Sequence, residues 1–185
     1  MNLSRFVIAL TFLLIAFRIN ALSQLQLCTE KDFDCLIAEA TRSIGLNPQD
    51  AEAYINRGNL YEDKGDLEQA IKDYTKSIEL APQSFAPYYS RGLVYKDLGN
   101  YKQAIKDFDK AIEWNSINHC LFYYRGLCYF NLNNFEEAIK DYTKAIELKP
   151  GYAKTYYKRG NAYAQLGDKE KAEADYKKYE ELNKK

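Results

Sequence analysis

The side chains that most often carry chemistry are few in this chain, and their spacing argues against catalysis. There is one histidine, His119, and there are four cysteines, Cys28, Cys35, Cys120 and Cys128. A metal site needs three or four converging ligands, usually announced by close Cys or His pairs such as C-x-x-C. No such pair occurs, so no metal and no cofactor is expected. No Ser–His–Asp set, phosphate loop or isolated acid pair stands out either, so no catalytic residue is assigned and the chain reads as a non-enzyme. Cys120 and Cys128 are eight residues apart on one predicted helix. That is about 12 Å at 1.5 Å per residue, too far for a disulfide. Cys128 takes the slot held elsewhere by Leu60, Val94 and Ala162, so it reads as a small core residue.

What does recur is charge. Arg57, Arg91, Arg125 and Arg159 stand 34 residues apart, and so do Asp73, Asp107, Asp141 and Asp175. The spacing predicts an Arg–Asp ladder, one rung per unit, within a helical hairpin or to its neighbour. Partly exposed pairs of this kind contribute about 0.2–1 kcal/mol each. With four aspartates ready to neutralise four arginines, the ladder reads as structural and not as an anion site.

The same interval governs the whole chain from Ala51 onward. Units begin at Ala51, Phe85, His119 and Ala153. A fixed period of this size marks a stack of like supersecondary units. In each unit, apolar or aromatic residues fall at positions 4, 8, 11 and 14 and again at 17, 20, 24 and 27, the spacing of one helix face twice over. Between the two helices, position 15 is Gly65, Gly99, Asn133 or Gly167, residues that enter the left-handed region cheaply. Pro82 and Pro150 stop the second helix, as Pro48 does for a preceding partial unit. Ser116 stands where the second full unit should have its proline, which makes that junction the expected soft point.

Position 8 is Gly58, Gly92, Gly126 and Gly160, and position 20 is Ala70, Ala104, Ala138 and Ala172. A mid-helix glycine costs about 1 kcal/mol against alanine, and close contact of the paired helices is the natural offset. The two positions lie at equal heights either side of the turn, so these small residues are expected to face each other. Tyr61, Tyr95, Tyr129 and Tyr163, with Tyr74, Phe108, Tyr142 and Tyr176, fill the space around them.

These positions, matched in register over residues 51–185, resemble the tetratricopeptide repeat. The resemblance implies an all-α, right-handed solenoid of antiparallel helix pairs, with full units at 51–84, 85–118, 119–152 and 153–185. The chain departs from the family's frequent leucine at position 7, where the arginines stand. In this family the first helices line a concave groove through positions 2, 5, 9, 12 and 13. Carried over, the candidate groove residues are Ile55 and Asn59, then Tyr89 and Leu93, then Tyr123, Leu127 and Phe130, then Lys154, Tyr157 and Asn161. An apolar, aromatic centre with polar rims suits a protein or peptide segment. The implied function is a protein-interaction scaffold. Glycan or peptidoglycan binding on the tyrosines is the alternative, and self-assembly a third. A carboxylate-clamping groove of the chaperone-binding type is disfavoured. Lys154 and Lys158 fit its pattern, but Tyr89, Leu93 and Tyr124 do not.

Residues 24–50 align as a degenerate first repeat that caps the stack. A helix is expected from about Phe33 to Leu46, with Leu36, Ile37, Ala40 and Ile44 covering the next unit and a shorter helix before Cys28. Cys28 and Cys35 fall level across the turn of this unit, where a disulfide is reasonable in an oxidising compartment. Residues 1–23 have an arginine, an apolar run from Phe6 to Phe17 and small residues after it, the order of a secretory signal peptide. Cleavage is expected after Ala21 or Ser23, giving an exported protein, periplasmic or secreted, with no stable membrane insertion thereafter; an uncleaved N-terminal anchor is the alternative. Lys plus Arg equals Asp plus Glu at 26 each, which argues against nucleic acid as a partner. At the other end, Glu173 and Glu180 replace the isoleucines of positions 21 and 28. They give that face a polar finish, so a monomer is expected.

Overall fold

The computed structural model describes Cys28 and residues 32–184. The expected signal segment and the short helix before Cys28 lie outside those residues. The described residues form nine α-helices and no strand. Helix α1 spans Phe33–Leu46, α2 Ala51–Lys64, α3 Leu67–Leu80, α4 Phe85–Asp97 and α5 Tyr101–Trp114. Helix α6 spans His119–Asn131, α7 Phe135–Leu148, α8 Ala153–Gln165 and α9 Lys169–Asn183. Each helix packs on the next, and the first helices α2, α4, α6 and α8 also touch one another in series. That is a solenoid of helix pairs, with α1 as the lone helix covering the first pair.

Local chemistry sets the ends. Gly65, Gly99, Asn133 and Gly167 all have positive φ, from 61° to 88°, the left-handed geometry that closes the first helix of each pair. Asp50, Asp66, Asn118 and Asp168 accept backbone N–H groups at helix starts, satisfying donors that have no partner in the first turn. Helix α5 ends at Trp114 although Ser116 replaces the proline, because Asn115 leaves the helical region (φ −146°, ψ 78°) just as Ala81 and Lys149 do before their prolines. A proline is therefore not needed to end a second helix here.

The ladder is present and does more than join a pair. Arg57, Arg91, Arg125 and Arg159 each make a bidentate bond, through Nε and Nη2, to Asp73, Asp107, Asp141 and Asp175 at 2.6–2.8 Å. The remaining Nη1 reaches back to the preceding unit. It donates to Thr41, Thr75, Asp109 and Thr143 in turn, at 2.6–3.1 Å. Each guanidinium also lies 5.6–5.9 Å from at least one aromatic ring of its own helix, as with Arg159 between Tyr156 and Tyr163. Burial disfavours the charge of Arg125, but its bonds to Asp141 and Asp109 more than reverse that, so its pKa is raised. The four aspartates are buried. These rungs are thus stronger than the partly exposed pairs assumed from sequence.

The glycines lie against the aromatic ring of position 24 first of all, and Gly160 also lies close to the Ala172 carbonyl of position 20. A Cβ at Gly58, Gly92, Gly126 or Gly160 would lie 2.7–2.9 Å from the ring at position 24, on Tyr74, Phe108, Tyr142 or Tyr176. The alanines at position 20 are buried, but the close approach is glycine to aromatic ring.

The two ends of the stack differ. Ile44 of α1 is buried against α2, and Cys28 is joined to Cys35 with their Cα atoms 5.6 Å apart. At the far end, Ile78 and Ile112 pack against the core of the following unit. Glu173, Glu180 and Lys177, in the corresponding face of α9, are exposed.

Replacing Arg91 by alanine leaves Asp107 buried and unpaired and frees the tie to Thr75. We expect a loss of about 3 kcal/mol, measured by urea unfolding. A loss under about 1 kcal/mol would reduce the rung to a surface ion pair.

Candidate binding groove

Helices α2, α4, α6 and α8 stand side by side and present one face, as required by their matched positions. Asn59 is exposed at one end of that face, and Lys154 and Tyr157 at the other. Between them Tyr89, Leu93, Leu127 and Phe130 are half-buried. Tyr89 leans on Phe108 and Tyr124, with ring centroids 6.3 and 6.0 Å away. Phe130 meets Phe135 edge-on at 5.3 Å. Tyr123 differs from the other candidates. It is only 7% exposed, packed against Tyr124, Tyr142 and Tyr152 at 5.2–6.2 Å, and burial pushes its phenol up to about 12. The second helix of its own unit and Tyr152, just before the next unit, cover it.

Position 9 decides how the floor of the groove is satisfied. The Tyr74 hydroxyl has two acceptors, Asn59 at 2.8 Å and Glu62 at 2.7 Å, and Asn161 accepts that of Tyr176 at 2.9 Å. Leu93 stands opposite Phe108, which has no hydroxyl. Leu127 stands opposite Tyr142, whose buried hydroxyl has no partner. The apolar middle of the groove is therefore built at the expense of one hydrogen bond, worth about 1–3 kcal/mol when a buried group is left unmade.

Of the clefts along the stack, three are lined by residues of the first helices. One of about 190 Å³ lies between α1 and α2 and is lined by Ala40, Ser43 and Asn56 among others. Another, of about 380 Å³, lies between the first two full units, around Ile55, Ser77 and Ala86. A third, about 410 Å³, lies at the far end beside Tyr157, Asn161, Tyr176, Tyr179 and Glu180. Tyr176, Tyr179 and Glu180 come from the second helix of their unit and were not among the sequence candidates. The signal was available at position 27, which is Ser77, Ala111 and Ala145 before it becomes Tyr179.

Burial shifts the titratable groups at the start of α6 toward their neutral forms. Burial lowers His119, with Lys149 adding to the effect, and raises Cys120. Cys128 is pushed by burial up to about 12. The His119 Nε2 to Cys120 Sγ distance is 3.5 Å, but neither shift favours a thiolate–imidazolium pair. Among the described residues no three potential ligands gather for a metal, and no helix is long and apolar enough to cross a membrane.

Comparison with known proteins agrees with this geometry. A model described as tetratricopeptide repeat matches residues 51–84 and 86–114, and a second of that description matches 153–185. One described as TPR repeat matches 126–167. No curated protein sequence matches the chain. Among solved structures, a crystal structure of MamA is 29% identical, with a TM-score of 0.80 over 83% of this chain and 90% of that one. A second MamA structure, also 29% identical, has a TM-score of 0.78 over 83% and 84%. MamA from Desulfovibrio magneticus RS-1, at 21% identity, shares the fold with a TM-score of 0.79 over 83% and 87%.

Substituting Leu127→Asn offers the Tyr142 hydroxyl the acceptor that Asn59 gives Tyr74. Leu93→Asn offers nothing to Phe108. Leu127→Asn is expected to cost less stability than Leu93→Asn, by about 1 kcal/mol. Parallel denaturant titrations compare them, and equal losses would mean that Tyr142 is already satisfied.

Proposed function

This chain is a member of the tetratricopeptide repeat family, and from that membership we propose that it is a non-catalytic scaffold whose concave face holds a segment of a protein partner. The observation that carries the reading is the half-buried apolar strip of Tyr89, Leu93, Leu127 and Phe130, flanked by Asn59 at one end and Lys154 and Asn161 at the other. The core does not require leucine at position 9, because the outer units use asparagine there. The apolar choice is therefore free to serve a ligand, and tyrosine and phenylalanine supply large contact area beside it. Neutral His119, Cys120 and Cys128 offer no activated nucleophile, which supports the non-catalytic reading.

A second reading has its own support. Tyr157, 43% exposed, adjoins Tyr176 and Tyr179 at 5.8 and 5.2 Å in a cleft that also holds Asn161 and Glu180. Aromatic faces beside amide and carboxylate groups suit a sugar ring, so glycan or peptidoglycan binding is the alternative. The polar face of α9 supports a monomer in either case.

The compartment we infer is an exported one, periplasmic or secreted. The charged, apolar and small-residue order of residues 1–23 supports it, and so does the disulfide, which persists in oxidising surroundings. Residues 1–27 fused ahead of a phosphatase active only outside the cytoplasm should give active enzyme; a wholly inactive, intracellular fusion would overturn the inference.

The groove is tested by cross-linked capture from the native compartment with the wild-type chain and with Leu93→Asn/Leu127→Asn. Recovery of the principal partner should fall at least about tenfold, equivalent to about 1.4 kcal/mol. Equal recovery by both, with helicity retained, would remove the groove from consideration. Recovery of glycan in place of protein would favour the second reading.

A further inference from the structure

The cleft between the first two full units is an empty version of a place that the next two junctions fill from within. In those junctions position 5 is tyrosine. Tyr89 covers the site above Ala111, between Phe108 and Tyr124. Tyr123 does the same above Ala145, between Tyr142 and Tyr152. At the first junction position 5 is Ile55, which is too short to cross the gap. The other walls are small as well. Ala86 stands where the later units have Cys120 and Lys154, and Ser84 where they have Asn118 and Tyr152. About 380 Å³ is left open on the concave side.

The floor of that space is polar. Ser77 takes position 27, which is alanine in the next two units. It is fully buried, its Oγ has no hydrogen-bond partner, and it lines the cleft. A buried hydroxyl without a partner costs about 1–3 kcal/mol. Alanine would avoid that cost, and the following units show that alanine fits. The serine is accounted for if an arriving group bonds to it.

We propose that this cleft takes the phenol side chain of a tyrosine on the partner segment, with its ring in the gap left by Ile55 and its hydroxyl on Ser77. The occupant follows from the fold: the equivalent gaps accept a tyrosine ring from the chain itself, and only the first keeps a free hydroxyl at its base. Glu52 and Asn56 at the rim leave the mouth polar, as suits a side chain entering from an extended backbone. The inference rests on the groove reading, but the two fail separately. Capture can be lost in the Leu93/Leu127 variant while this cleft still binds its phenol, and the cleft can stay empty while capture persists.

The probe is p-cresol, the side-chain analogue of tyrosine, compared with toluene, the analogue of phenylalanine. Titrations followed by NMR should move the signals of Ile55, Ser77 and Ala86, with p-cresol binding roughly fivefold more tightly than toluene, as one hydrogen bond allows. Ser77→Ala should remove that advantage and leave toluene unchanged. Ile55→Tyr, which copies the filled junctions, should abolish binding of both; Ala86→Leu closes the same space if that variant does not fold. Equal affinities for the two probes in the wild type would overturn the proposal. So would p-cresol binding that survives in a folded Ile55→Tyr or Ala86→Leu chain.

Discussion

Everything in this array depends on a guanidinium that makes bonds in two directions. A pair of short helices cannot bury enough apolar surface to stand alone, so each unit must be fixed to its neighbour as well as closed on itself. Arg57, Arg91, Arg125 and Arg159 do both at once. Two donors hold the aspartate of the same unit, and the third holds a side chain of the unit before. A leucine in that place could pack but could not set the register of one pair on the next. The planar guanidinium aims its N–H donors in fixed directions within one plane, and lysine has no equivalent geometry. At one junction the acceptor is Asp109 in place of threonine, so Arg125 serves two carboxylates.

With register held by polar bonds, the apolar residues are divided between two tasks. The glycines at position 8 let an aromatic ring lie against the first helix, and that contact closes each pair. The isoleucines of the second helices join pair to pair. On the first helices Tyr89, Leu93, Leu127 and Phe130 pack in part against the same cores and keep the rest of their surface open, whereas Tyr123 is almost completely covered.

Much of this was legible in the sequence because it repeats. Four residues at position 15 predicted four left-handed turns, and the observed φ values agree. The Arg–Asp spacing predicted the rungs, and the pattern of Phe33 to Leu46 gave α1 its limits. What could not be read concerns direction around a helix axis. Equal height placed Gly92 level with Ala104, but it did not show that the ring of Phe108 lies nearest to it. Each arginine bonds one residue 16 positions ahead and another 16 positions behind, and period alone does not choose between the two directions. The burial of Tyr123 depends on Tyr152, which belongs to a loop position that varies from unit to unit. The cleft at Ser77 arises from three small residues in three separate segments, none unusual by itself.

The backward reach of each arginine gives the stack a chemical polarity. Any unit inserted between two existing ones brings an arginine for the unit before it and a threonine or aspartate for the unit after it. Helix α9 offers no such acceptor: Lys177, itself a donor, stands where Thr143 and Asp109 stand, with Glu173 and Glu180 in place of the joining isoleucines. In evolution, gene duplication can lengthen this array from its interior in a single event, whereas extension beyond α9 requires several coordinated substitutions first.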